Sequence, residues 1–226
     1  MLGHCEECIE LGLQGYRLEP FRAETNFEMG RLFHSINEYD RAVRQFDLAI
    51  SLDPHVAYYY GKRGWAYFRM GLFPEAEADF KKALQIDETS AIVSWQYFVF
   101  LISLNRIDEA EEIKLIIDSF FNLYSEGLNA IMDAARGEKE RAQSYKVISY
   151  HRLMVCLLLK MDSEALDILE ARIGKDLFAW DSLCFYKTFD HDPLFDRIRG
   201  SERFKALIEE QRPRYLDYKQ RFLDGR

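Results

Sequence analysis

The 226-residue chain has 48 % apolar residues and a formal net charge of -8. The apolar content is ample for a buried core, whereas the negative charge argues against a nucleic-acid-binding protein, which needs a basic face to neutralise phosphates. Four cysteines do not make a disulfide framework in a chain of this length. We find no stretch apolar for long enough to span a membrane, and the acidic start is unlike a secretory signal. We therefore expect a cytoplasmic protein.

One fixed interval recurs through the first half of the chain. Alanines mark it at Ala42, Ala76 and Ala110, and Gly30 is followed by Gly64. Other rows keep the same spacing, among them Phe33 with Tyr67, Phe46 with Phe80, Ala49 with Ala83, and Asp53 with Asp87. Small residues at fixed positions of such a period are typical of a helix–turn–helix solenoid, because paired helices cross closely only where side chains are small.

Residues 1–22 form the first predicted unit. Pro20 lies one period before Pro54, and Cys8 stands where the next repeat has Ala42. We interpret this unit as an N-terminal half repeat or capping helix. That the chain is a piece of a longer array is an alternative that the pattern leaves open.

Three complete repeats are predicted over residues 23–124. They cover residues 23–56, 57–90 and 91–124. Each is expected to contain two helices, which in the first repeat are predicted at residues 23–36 and 39–52. A left-handed residue commonly ends a helix at such a turn, and the residues in that position are Asn37, Gly71 and Asn105. In the third repeat Phe98 replaces the glycine and Lys114 replaces the phenylalanine, so we expect its helices to pack differently.

Residues 125–191 are predicted to form irregular helical hairpins. Gly137 and Ala142 imitate the turn glycine and the alanine, each two residues early, and Ala165 imitates the alanine again after a shorter interval. Helices are predicted here at residues 125–135, 138–159, 163–173 and 178–188.

Residues 192–226 are predicted to form C-terminal capping helices. Asp192 is expected to cap a short turn, Pro213 to break the longer helix that follows, and a last helix is predicted at residues 214–223. A polar closing helix covers the apolar face that the final repeat would otherwise expose. Residues 196–226 hold 9 Lys or Arg against 6 Asp or Glu. We interpret this basic tail as a solvated helix face, in preference to a site for an acidic partner or lipid.

These residues resemble the tetratricopeptide repeat (TPR) family, whose pattern is W-x2-L-G-x2-Y followed by A, F, A and P. The first repeat meets the pattern with Asn26, Met29, Gly30, Phe33, Ala42, Phe46, Ala49 and Pro54. The second meets it with Tyr60, Arg63, Gly64, Tyr67, Ala76, Phe80 and Ala83. Neither has the tryptophan, and the third repeat matches chiefly at Ala110. The tail from Asp192 to Leu207 resembles the segment that often follows such arrays in bacterial proteins, which indicates a bacterial origin.

The resemblance implies an all-α TPR-type solenoid of helical hairpins, a right-handed superhelix whose first helices line a concave groove. Such grooves usually hold a peptide or helix of a partner protein. By family position, the predicted peptide-binding groove residues are Phe27, Arg31, His34, Tyr58, Lys62, Trp65, Phe68, Arg69, Trp95, Gln96 and Val99. The same positions also include Glu24, Glu28 and Ile92.

Aromatic rings beside Arg and Lys are the composition of binding hot spots. The alternative is that Trp65, Phe68 and Trp95 are buried between helices or covered by the C-terminal segment. Chaperone-binding relatives clamp a terminal carboxylate with a Lys and Asn pair, and Phe27 and Arg31 stand in those positions here. An acidic chaperone tail is therefore not the expected ligand.

No catalytic residue, cofactor or metal is predicted. His4, Cys5 and Cys8 form an H-C-x2-C cluster without a second pair nearby in sequence, so we favour packed cysteines over a zinc site. His191 and Cys184 lie near each other in sequence, but no glycine-rich elbow or oxyanion loop accompanies them.

We therefore expect an adaptor or scaffold, monomeric or dimeric, that binds a partner segment with an apolar anchor. The second hypothesis is a structural or assembly protein that self-associates through its C-terminal half. The least favoured is an enzyme with a site between residues 150 and 195.

Overall fold

The structure is a computed structural model and describes residues 14–15, 17–19, 21–120, 125–147, 149–172 and 186–221. Within these residues the regular secondary structure is helical, and they contain no strand. The first helices are α1 (Ala23–Ser35), α2 (Tyr39–Leu52), α3 (Ala57–Arg69), α4 (Phe73–Ile86), α5 (Ala91–Ser103) and α6 (Ile107–Phe120). They are followed by α7 (Ser125–Ala135), α8 (Lys139–Ser144), α9 (Ser149–Leu158) and α10 (Asp162–Arg172). A 3-10 turn at Pro193–Phe195 precedes α11 (Asp196–Arg199), α12 (Glu202–Glu209) and α13 (Arg212–Lys219). The all-α TPR-type fold predicted from the sequence is confirmed.

Helices α1 to α10 pair in order as hairpins, and one turn geometry joins the two helices of each pair. A residue in the turn adopts the left-handed conformation, with φ between 57° and 81°. The N–H of the next residue bonds to a carbonyl five residues earlier, at 2.8 to 2.9 Å, which ends the first helix and reverses the chain. The left-handed residues are Asn37, Gly71, Asn105, Gly137 and Lys160. The turns predicted at the first three are confirmed.

Small residues set the distance at which the paired helices cross. The alanine at the fourth position of each second helix is fully buried: Ala42, Ala76, Ala110, Ala142 and Ala165. A methyl group added at Gly30 would lie 2.4 Å from the ring of Phe46. One added at Gly64 would lie 3.0 Å from the backbone oxygen of Ala76. The close crossing expected from the sequence is confirmed.

The third hairpin packs differently, as predicted. Phe98 stands on α5 in place of the glycine, is fully buried and stacks on Trp95, with ring centres 5.8 Å apart. Lys114 stands on α6 in place of the phenylalanine, and its Nζ lies 2.5 Å from the carboxylate of Asp118. The large ring therefore comes from the first helix of this hairpin, whereas Phe46 and Phe80 come from the second.

The single helix predicted at residues 138–159 is wrong. The chain forms α8 and α9 instead, and Tyr145 between them has an extended backbone with ψ 139°. The physical reason is that α9 packs back against α7, so the chain has to change direction after a short second helix. Tyr145 fixes this point by donating a hydrogen bond from its hydroxyl to the carboxylate of Asp133 at 3.1 Å.

Two smaller differences lie toward the C-terminus. Residues 186–188, expected at the end of a helix, form turns, while residues 178–185 of that predicted helix lie outside the described part of the chain. The last helix begins at Arg212, two residues earlier than expected, because Pro213 fits in a first helical turn, where a missing N–H has no consequence. The unit predicted at residues 1–22 lies mostly outside the described residues.

Replacing Gly30 with alanine is expected to destabilise the first hairpin. Alanine gains about 1 kcal/mol in helix propensity, but overpacking against Phe46 costs about 1 to 3 kcal/mol. Gly200→Ala is the control, since φ there is -75° and nothing lies within 4 Å of the added carbon. Urea unfolding followed by circular dichroism should show a lower midpoint for Gly30→Ala alone. An unchanged or raised midpoint would contradict the steric account.

Candidate protein-binding face

The predicted groove residues lie on α1, α3 and α5, and we call this set of residues the inner face. Its two ends differ in accessibility. In the first two turns of the helices, Glu24 and Glu28 are exposed, Ile92 is 51 % exposed, and Tyr58 and Trp95 are half-buried. These side chains are the part of the inner face that a partner can reach directly.

The last turns of the same helices are buried. His34 is buried edge-on to Tyr39, with ring centres 5.2 Å apart. Phe68 is fully buried among aromatic rings of α4 and α5, and Val99 is almost completely buried. The structure therefore places these predicted groove residues inside the protein.

The remaining predicted residues lie between these extremes. Phe27 is buried between the first two hairpins, 5.1 Å from the ring of Tyr58. Lys62 is buried with its Nζ 5.3 Å from the centre of the same ring, and Gln96 is buried on α5. Arg31 remains exposed and pairs with Glu28 at 3.1 Å.

A C-terminal segment, residues 186–199, covers the end of α3. Arg69 donates hydrogen bonds to the backbone oxygen of Thr188 at 3.0 Å and to the carboxylate of Asp192 at 3.3 Å. Its guanidinium also lies 4.6 Å from the ring centre of Trp65. At Trp65 and Arg69 the structure therefore agrees with the predicted alternative, in which the C-terminal segment covers part of the groove.

Both charges of this ion pair are buried. The side chains of Arg69 and Asp192 are 8 % and 5 % exposed. Burial raises the pKa of Asp192, while the Arg69 guanidinium and the backbone N–H of Leu194 act in the opposite direction. Asp192 accepts a hydrogen bond from that N–H at 3.1 Å, so the cap predicted from the sequence is confirmed. The same carboxylate also pairs with Arg69.

The same segment and α13 also reach the first hairpin. Asn37 donates from its side chain to the hydroxyl of Thr188 at 3.2 Å. Tyr215 of α13 donates to the carboxylate of Glu38 at 2.7 Å and accepts from Lys187 at 3.1 Å. The C-terminal part of the chain therefore returns to the beginning of the repeat array.

Helix α9 contacts the inner face at α5. The ring of Trp95 lies edge-on to His151, with centres 5.2 Å apart, and to Tyr150 at 6.1 Å. His151 is buried, and burial lowers its pKa from 6.5 to about 4. The imidazole is therefore neutral at physiological pH and serves as a packed ring.

A cavity of about 270 Å³ lies between the turns of the first two hairpins and the C-terminal segment. Its lining includes His191 and Asp190, whose pKa burial raises, together with Tyr39, whose pKa burial raises to about 12. Of this lining, Lys187, Asp190 and His191 fall within residues 150–195, where the least favoured hypothesis places an enzymatic site. Cys184 lies outside the described residues, as does the cluster of His4, Cys5 and Cys8.

No group of three or more His, Cys, Asp or Glu in the described ranges is arranged to hold a metal ion. A helix long and apolar enough to cross a membrane is likewise not found among them.

Comparisons with known proteins agree with the hairpin geometry. Two tetratricopeptide repeat models match the chain, one over residues 23–56 and the other over residues 57–90. These are the first two hairpins, with the left-handed turns at Asn37 and Gly71 and the close crossings at Gly30 and Gly64. The chain thus contains tetratricopeptide repeats over residues 23–90. No curated protein matches it.

The position at which the C-terminal segment contacts this TPR array could not be predicted from the sequence. Thr188 and Asp192 follow Arg69 by 119 and 123 residues, and no repeat links them. The pair of tyrosines in α13, Tyr215 and Tyr218, is the one local signal, because two aromatic residues three positions apart in a polar helix indicate a buried stripe.

Asp192→Asn is expected to destabilise the TPR protein strongly. Asparagine can still cap the turn, but Arg69 would lose its buried counter-charge, which typically costs about 3 to 5 kcal/mol. Asp196→Asn is the control, because Asp196 pairs with Arg199 at the surface, where such pairs contribute about 1 kcal/mol or less. Urea unfolding should separate the two variants clearly. Equal midpoints would contradict the large loss of stability expected from breaking the buried pair.

The pKa of His151 predicts a pH dependence. Because the folded pKa is about 4 and the ordinary value is 6.5, stability falls as the pH falls through this window. The loss amounts to about 3 kcal/mol at most, at about 1.4 kcal/mol per pKa unit. His151→Gln should unfold with a shallower dependence between pH 6.5 and 4, whereas His55→Gln, at an exposed position, should behave like the wild type. Parallel curves for all three proteins would refute this.

Proposed function

We propose that this TPR protein is an adaptor that binds a segment of another protein on the accessible first turns of α1, α3 and α5. TPR repeats generally mediate protein–protein interaction or scaffolding. The finer proposal, a peptide or helix with an apolar anchor, is supported by the side chains at that end of the inner face.

An accessible apolar row is the observation that carries the proposal. Tyr58 and Ile92 hold equivalent positions, one period apart, at the starts of α3 and α5, and Trp95 lies one turn further along α5. Tyrosine and tryptophan are enriched in binding hot spots because a large rigid ring buries much area at a low entropic cost. Covering the exposed Ile92 would gain about 25 cal/mol for each Å² removed from water.

The predicted groove residues then divide into two roles. Tyr58 and Trp95 are proposed to contact the partner because they are half-buried near the starts of α3 and α5, and the exposed Arg31, further along α1, is proposed to contact it from the edge of the site. The buried members hold these contact residues in place, and the Phe27 ring against Tyr58 is an example. We further propose that the adaptor works in the cytoplasm of a bacterium, from the cysteine content and the resemblance of the tail.

The experiment is affinity capture from the native host with the full-length protein, followed by mass spectrometry and a binding assay with the protein identified. Ile92→Asp is expected to weaken binding at least tenfold, since it places a charge in the apolar row. Leu115→Asp is the matched control, because Leu115 is 60 % exposed on α6, a second helix. The control should bind like the wild type.

Equal binding by both variants, with unchanged helicity, would refute this location for the site. Light scattering on the same samples addresses the second hypothesis. A stable oligomer in place of any captured partner would favour the self-associating structural protein.

A further inference from the structure

The face of a first helix that meets the preceding hairpin can be identified from α3. Tyr59 and Ala66 pack there in one cluster with Phe46 and Ala49 of α2. Arg63 lies at the edge of this face, because it donates to the carboxylate of Asp47 on α2 at 2.7 Å and to that of Asp79 on α4, also at 2.7 Å. This face of α3 is therefore the one that contacts the preceding hairpin.

The equivalent face of α1 follows from the repeat period. Tyr59, Arg63, Ala66 and Met70 correspond to the residues that we call the leading face, which are Thr25, Met29, Leu32 and Ile36. Met29 and Ile36 are buried although α1 begins the first complete hairpin. The period would place the half repeat predicted at residues 1–22 here, and that unit lies mostly outside the described residues.

Helix α13 packs on the leading face. Tyr215 and Tyr218 form a buried cluster with Met29 and Ile36. Tyr215 is held further by its hydrogen bonds to Glu38 and Lys187 and by stacking on Tyr186 at 5.2 Å. The C-terminal helix thus lies where the period would place a preceding hairpin.

The packing of α13 is light for a helix in this position. Of its eight residues, Tyr215 and Tyr218 are buried, whereas Leu216 is 50 % exposed and Asp217 is exposed. An isolated helix of this length is unstable in water, so α13 folds only while it is docked. Terminal elements with few buried side chains open at a lower free energy than the whole domain.

We propose that α13 is a latch on a helix-docking surface. When α13 leaves, the leading face binds a helix of a partner protein that carries two aromatic side chains three residues apart. Side chains at that spacing lie on one face of a helix, and α13 shows that the leading face accepts them. Glu38 favours tyrosine at the first position, because it accepts a hydrogen bond from the phenol. The partner and α13 therefore compete, and the free protein is autoinhibited at this face.

This surface is separate from the apolar row of Tyr58, Ile92 and Trp95, so the two proposals can fail independently. The test uses a fluorescent peptide of residues 209–221, which contains α13, and measures its anisotropy with full-length proteins. The wild type is expected to bind the peptide weakly or not at all, because its own latch competes at a high effective concentration. Tyr215→Ala combined with Tyr218→Ala releases the latch and should bind at least tenfold more tightly.

Two further variants identify the surface. Adding Ile36→Asp to the released protein should abolish peptide binding, since it places a charge on the leading face. Leu216→Ala is the control, because it removes an exposed apolar side chain from the same helix, and it should behave like the wild type. Circular dichroism checks that every variant keeps its helices.

Hydrogen exchange of the wild type gives a readout that needs no variant. The amides of α13 should exchange faster than those of α1 and α2, through local opening. Protection of α13 equal to that of α1 would overturn the latch. So would equal peptide binding by the wild type and the released protein, or no binding by a folded released protein at about 1 mM peptide.

Discussion

The close crossing of two helices within each hairpin is the constraint on which the rest of the fold depends. A left-handed turn residue ends the first helix, and a buried alanine four residues into the second keeps the axes close. Successive buried alanines keep one period up to Ala110, whereas Ala142 and Ala165 follow at progressively shorter intervals. Hairpins of such different lengths can follow one another because each contacts mainly its neighbours, so a change in length is absorbed locally.

The chain that follows the regular repeats also contacts the inner face. Helix α9 lies against Trp95, and the chain beyond it returns to the ends of α1 and α3. Arg69 is the junction, since it contacts Trp65, Thr188 and Asp192 together. A buried ion pair is a weak source of net stability, because desolvation offsets most of the attraction. We infer that this pair chiefly fixes which segment covers the face and in which register.

The features that local chemistry determines could be predicted from the sequence, and those that depend on distant contacts could not. Asn37, Gly71 and the buried alanines act within one hairpin, so their types and spacing were sufficient to predict it. The break at Tyr145 has no proline or glycine to mark it, because the packing of α9 on α7 imposes it. The accessibility of the inner face depends on a segment far along the chain, which the family pattern does not describe.

The burial of most of the predicted groove residues changes how the accessible ones would bind. Tyr58 is fixed by the Phe27 ring and by Lys62, and Trp95 by the rings of Phe98 and His151. Side chains held in one position before binding lose little conformational entropy when a partner arrives. The buried residues of the predicted groove are therefore part of the proposed site even though a partner would not touch them. In this arrangement the C-terminal segment limits the area available for binding, and the packed rings of Phe27, Phe98 and His151 hold the remaining contact residues in place.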